Sequence, residues 1–166
     1  GGIFTSRMGM DGSYSTSYGV DGIFKLFRND YFNFKVAQVM SQNAPNKAAS
    51  LDPTRLFLNW KRYNDKGLGY DFIYTRSGKD FKPEMGFQQR SDYSYYGGSF
   101  QYGWLPGKSS PLMNHKIVLS TAVYTDNING DAQSSETELK YQFFLNSGFN
   151  GAVAVLNAFE NLVRDF

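Results

Sequence analysis

A chain of 166 residues has room for one domain of ordinary size. Its 17 Lys+Arg against 15 Asp+Glu leave a formal net charge of +2, too even to mark a nucleic-acid binder, and the absence of cysteine excludes disulfide scaffolds, zinc ribbons and thiol chemistry. A single histidine, His115, excludes a multi-histidine metal cage, and an aromatic content of 17% argues against disorder.

The chain alternates apolar and polar residues from one end to the other. Residues 2–7 read as a short first strand. Tyr18, Val20, Gly22, Phe24 and Leu26 then alternate with Gly19, Asp21, Ile23 and Lys25. Phe32, Phe34 and Val36 follow against Asn33, Lys35 and Ala37, and Leu56, Leu58 and Trp60 against Arg55, Asn59 and Lys61, with Phe57 out of pattern. Leu68, Tyr70, Phe72 and Tyr74 oppose Gly69, Asp71, Ile73 and Thr75. Tyr96, Gly98, Phe100, Tyr102 and Trp104 oppose Gly97, Ser99, Gln101 and Gly103. Ile117, Leu119, Thr121 and Val123 form the next run, then Leu139, Tyr141, Phe143 and Leu145, and residues 151–158 a last one. Period-two runs repeated this often, with no βαβ spacing, predict an all-β, antiparallel up-and-down meander in a single domain over 1–166.

Connections are sorted by length. Arg28-Asn29-Asp30, Asn64–Gly67 and Asn146–Gly148 are tight, whereas 42–54, 77–92 and 126–135 are long. Tight turns at one end and long loops at the other are a habit of outer-membrane barrels. Tyrosine is expensive in a dry core because its hydroxyl needs a partner. Yet Tyr70, Tyr74, Tyr102, Tyr141 and Trp104 sit on the apolar side, several near strand ends, as interfacial aromatics do. These features point to a transmembrane β-barrel, or an arc of a larger one. Leu56, Leu58, Trp60, Tyr70, Phe72, Tyr74, Phe100, Tyr102, Leu139, Tyr141 and Phe143 would then face lipid, and the lysines, Asp71 and Gln101 a wet interior. A soluble antiparallel sheet with one solvated face gives the same alternation. Both ends read as cuts through a longer protein. Phe159, Leu162, Val163 and Phe166 have helical spacing, so 157–166 is open to helix, loop or strand.

Residues 74–93 contain Asp80-Phe81-Lys82-Pro83-Glu84-Met85-Gly86-Phe87-Gln88-Gln89-Arg90-Ser91-Asp92-Tyr93. This resembles a recurrent Asp-x-Phe-x-Pro-Glu-x-Gly-Phe-x-x-Arg-x-Asp segment in a family of large bacterial surface proteins. Those proteins join an N-terminal carbohydrate-binding module of the family 9 type to a barrel-like C-terminal domain of unknown function. Gly1–Arg7 and Gly19-Val20-Asp21-Gly22 resemble early strands of that C-terminal domain, and 160–166 a stretch after which further strands follow. The resemblance implies a location in the Gram-negative outer membrane and a link to glycans. It supplies no catalytic residue. Membrane lipid, glycan, other envelope proteins and the remainder of a barrel are the partners expected, and nucleic acid is not among them.

Other chemistry is thin. Asp80, Glu84, Arg90 and Asp92 could be a carboxylate site of an envelope glycoside hydrolase, but they suit equally a loop turned by Pro83 and Gly86 with Arg90 paired to a carboxylate. Tyr93, Tyr95 and Tyr96, with Phe100, Tyr102 and Trp104, could stack sugars in an exported carbohydrate-binding module, or form an interfacial girdle. Asp126–Asp131 offers a weak calcium loop but has Ile128 at the third position. No cofactor and no enzymatic role are expected.

Overall fold

The protein is described here from a computed structural model, over residues 1–42, 50–83 and 90–161. Nine strands follow one another: β1 (Gly2–Met8), β2 (Tyr14–Phe27), β3 (Asp30–Ser41), β4 (Thr54–Arg62), β5 (Gly67–Ser77), β6 (Tyr93–Trp104), β7 (Leu112–Asp126), β8 (Ala132–Leu145) and β9 (Asn150–Glu160). Each pairs antiparallel with its sequence neighbour in a single open sheet of order β1 to β9. The described residues contain no helix, so none is long and apolar enough to cross a membrane.

All nine predicted runs are strands. The clearest differences lie at the ends of β7, β8 and β9. β7 and β8 extend into the polar stretch expected to be a loop, leaving 127–131 as the connection, and residues 157–160 belong to β9. At the β7 and β8 ends both faces of the strand are largely polar, so period two gives no signal although the backbone ladder continues. Asp126 closes this hairpin. Its Oδ1 accepts the Ile128 and Asn129 amides, and Gly130, at φ +75°, donates to the Asp126 carbonyl at 3.0 Å. An Asx turn with a left-handed glycine is the local reason the chain reverses here.

The connections sort by end. Residues 28–29, 63–66, 105–111 and 146–149 lie at one end, which we call the turn end. The connections after β1, β3, β5 and β7 lie at the other, the loop end, and the expected sorting by length holds only in part, since 105–111 at the turn end is longer than 9–13 and 127–131 at the loop end. At the loop end Gly78 is buried, its N–H donating to the Thr54 carbonyl at 3.0 Å. Asp80 N–H donates to Asp52 O at 2.9 Å, and Lys79 pairs with the Asp52 carboxylate at 3.4 Å. A Cβ at Gly78 would fall well inside contact distance of the Leu51 and Asp52 carbonyl oxygens, which are backbone and cannot swing away. Gly78→Ala is therefore expected to cost about 1–3 kcal/mol, read as a lower denaturant midpoint, with Gly107→Ala as a neutral control because nothing lies near that position.

Candidate lipid-facing band and polar interior

Register sorts every strand residue onto one of two faces. Phe34 pairs with Leu58, Leu58 with Tyr74, Tyr74 with Tyr96, and Tyr96 with Val123. Tyr70 pairs with Phe100, Phe100 with Leu119, Leu119 with Leu139, and Leu139 with Val155. Trp60 pairs with Phe72, and Ile117 with both Tyr102 and Tyr141. All eleven residues singled out as apolar-face positions thus share one side of the sheet. Asn33, Asn59, Asp71, Gln101, Ser120, Glu138 and Lys140 share the other.

Burial is inverted relative to a water-soluble domain. The only buried hydrophobic residues among those described are Val39 and Phe81, whereas the buried polar ones are Ser15, Asn33, Asn59, Thr75 and Ser77 on the polar side and Asp30, Gln38, Thr54 and Ser94, near strand ends, on the apolar side. Along β7, Ile117 and Leu119 are 44% and 46% exposed, while Val118 and Ser120, which alternate with them, are half-buried. A flat single sheet would expose both sides alike. Over β6–β8 the sheet therefore curls toward its polar side, making the apolar face the outer one there; on β2 the difference is reversed, with Ile23 on the polar side 71% exposed and Phe24 on the apolar side 54%.

The apolar residues form a band that runs diagonally across the hydrogen-bonded rows. One row begins apolar at Phe32, Trp60 and Phe72 and ends polar at Thr121, Thr137 and Asn157. The next begins with the ion pair of Asp30 and Arg62 and ends apolar at Leu119, Leu139 and Val155. From Leu58 at mid-band on β4 to Tyr141 on β8, the shift is about 1.5 residues per strand. With a rise of about 3.3 Å and a strand spacing of about 4.8 Å, that corresponds to strands tilted about 45° to the band. Barrel strands tilt by about 35–45°.

Aromatic side chains line the turn-end border of this band. Trp60 meets Tyr70 at 5.3 Å between ring centroids, Tyr70 meets Phe72 at 5.5 Å, and Phe72 meets Phe100 at 5.1 Å. Tyr102, Trp104, His115, Tyr141, Phe143 and Phe149 continue the chain of contacts, with His115 stacked on Trp104 at 4.9 Å. Beside Trp60 the Arg62 guanidinium lies 5.1 Å from the Tyr70 ring and forks onto Asp30, which is 1% exposed.

The inner face carries a hydrogen-bonded row. Asn33 donates to Asn59 Oδ1 at 2.8 Å, and Asn59 Nδ2 donates to Asp71 Oδ1 and to the Phe72 carbonyl. Beyond it, a cavity of about 220 Å³ is lined by Asp71, Tyr95, Ser99, Ser120, Glu136 and Glu138. Lys25, Lys35, Arg55 and Lys61 lie on β2–β4 of this face beside Asp21, and the cavity on β5–β8 holds Asp71, Glu136 and Glu138, the last paired with Lys140 at 2.5 Å. At the loop end, the connection after β5 turns inward. Phe81, 5% exposed, and Pro83 cover a pocket of about 320 Å³ whose other walls include Ile3, Thr5, Ser15, Ser17 and Val39 of β1–β3.

The residues of the 80–93 segment are separated by this arrangement. Asp80 joins the Asp52 loop, and Glu84 lies outside the described residues. Asp92, at φ +57°, accepts from Asn127 Nδ2 at 3.1 Å, and Asn127 also bonds the Ser77 carbonyl and the Ser94 hydroxyl. The Arg90 guanidinium lies 4.7 Å from the Tyr124 ring centroid. Tyr93 and Tyr95 pack against Tyr124 at 5.8 and 4.7 Å on the inner side, whereas Tyr96 packs against Tyr74 on the outer side. The tyrosine-rich strand is thus divided between two surfaces. Among the described residues no group of three or more His, Cys, Asp or Glu is placed to hold a metal ion.

What the fold defines is a class: an all-β antiparallel meander in one open sheet, with a mainly polar face and a mainly apolar one. No protein-family model, curated protein or solved structure matches the chain.

Proposed function

We propose that this chain forms part of the wall of a β-barrel in a bacterial outer membrane, serving as a pore, anchor or assembly element without enzymatic activity. The observation that carries the reading is the diagonal apolar band. A tilted strand must leave the hydrocarbon layer at a different residue from its neighbour, and the side-chain pattern here steps by the amount that tilt requires. The strands other than β1 run 9–15 residues, long enough for the about 9–11 that a tilted span needs. The polar interior and the aromatic border fit the same setting. A link to glycans rests on the resemblance of residues 80–93 and on Tyr93, Tyr95 and Tyr124, whose clustered rings on the inner face suit the flat side of a pyranose.

Flotation with phosphatidylcholine vesicles tests the membrane reading. The refolded chain is expected to float with vesicles and resist carbonate extraction. A chain that stays in the aqueous fraction as a folded monomer overturns it. Binding of soluble oligosaccharides by such a monomer, lost on Tyr124→Ala, would favour an exported carbohydrate-binding module instead.

A further inference from the structure

The two outer strands carry a constraint that the wall itself does not. Asn161 N–H donates to the Gln133 carbonyl at 2.8 Å, fixing which β9 residues bond to β8. Amides alternate in direction along a strand, so those of Ala152, Ala154, Leu156 and Ala158 point away from the sheet. Asp21 N–H donating to Gly1 O at 3.0 Å fixes β1 likewise, leaving Gly2, Phe4, Ser6 and Met8 pointing outward. Exposed edges are normally blunted by charge, proline or a bulge. Residues 150–159 contain neither charge nor proline, and β9 pairs with β8 without a register shift. Val153 and Val155 are 70% and 68% exposed on its outer side. An edge so built is suited to pairing, and left unpaired in a bilayer it must draw water to its amides, which is costly.

Direction then restricts the partner. Both β1 and β9 run from the turn end to the loop end, because nine is odd and every neighbouring pair is antiparallel. Joining β1 directly to β9 would give a parallel seam. A second copy inserted with the same sidedness has the same strand directions, so its β1 beside this β9 is also parallel. Placing β9 against β9 of a copy would be antiparallel, but only with that copy upside down and its long loops on the wrong side of the membrane. Bacterial single-chain barrels pair antiparallel throughout, with an even strand number. Resting on the membrane reading above, we infer that the sheet is completed by an odd number of amphipathic strands, antiparallel to β1 and β9 at the two seams, from a sheet that is not a copy of this chain. Its strands would place apolar side chains beside Val153 and Val155. They would place larger inward side chains beside the small Ala152, Ala154 and Ala158.

The full chain in phosphatidylcholine vesicles tests this. Pairs of cysteines, Phe4→Cys with Val153→Cys, Val155→Cys or Asn157→Cys, are oxidised while backbone amide exchange is followed in the parent chain. The expected result is vesicle-bound protein with no disulfide between β1 and β9. The amides of Ala152, Ala154 and Ala158 should lose protection while those of Val153, Val155 and Asn157 keep it. A disulfide within one chain overturns the inference by showing a nine-strand ring. A disulfide between chains overturns it by showing a ring of copies, and protection of the outward amides by showing an edge already paired. Flotation separates these from failure of the membrane reading: a chain with free edges that does not bind vesicles removes the sidedness on which the inference stands.

Discussion

Leu119→Arg is expected to destabilise the vesicle-bound protein by about 2–4 kcal/mol, whereas Ser120→Arg, one residue further, is tolerated. Leu119 lies mid-band between Phe100 and Leu139 on the outer face, so a guanidinium there must sit in hydrocarbon or drag water in. Ser120 faces inward and lines the cavity that holds Asp71 and Glu136 as well as the Glu138–Lys140 pair, where a cation meets net opposite charge. Adjacent positions make the comparison sharp, since the strand and the incoming side chain are the same and only the face differs. Chemical denaturation in phosphatidylcholine vesicles reads both. If the outer face met water instead, Leu119 at 46% exposure would accept arginine within about 0.5 kcal/mol. Equal midpoints for the two variants would end the lipid-contact reading.

Asn59→Leu is expected to cost about 1–3 kcal/mol, in detergent as well as in vesicles, because its effect arises inside the protein. Asn59 is 5% exposed and stands between two partners, accepting from Asn33 and donating to Asp71. Removing it leaves an amide and a carboxylate without the group they share. Adding Asn33→Leu should cost less in the Asn59→Leu background than in the wild type, since the bond it breaks is already gone. Strict additivity would mean that the row is not a coupled unit.

The strands were legible because their two sides meet different surroundings, and period two records that difference residue by residue. Register was less so. The two-residue turn at Arg28-Asn29, with Arg28 at φ +25° and a shift between Lys25 and Phe27, sets which side chains meet across β2 and β3, and alternation alone does not specify it. The Asn33, Asn59 and Asp71 row was therefore visible only as three polar residues on the polar side. The Asp30–Arg62 pair was hidden for a different reason. It occupies outer-face positions where the band has already passed on toward later strands, and the diagonal emerges only once rows are aligned. Tyr93, Tyr95 and Tyr96 looked like one cluster because adjacent tyrosines catch the eye, yet neighbours on a strand point to opposite sides. Phe81 gave no signal at all, since a loop has no period from which its direction can be read.

That inward-turned phenylalanine has a kinetic consequence. Every strand pairing joins sequence neighbours, so the sheet can grow hairpin by hairpin with little loop-closure entropy to overcome at each step. Phe81 instead reaches back past β4 to a pocket walled by β1–β3, which must already stand before it can dock. Its seating is then a late event in assembly. In a refolding experiment, a reporter in that pocket should settle after the hairpins have formed, and on mild denaturation it should be the first to let go.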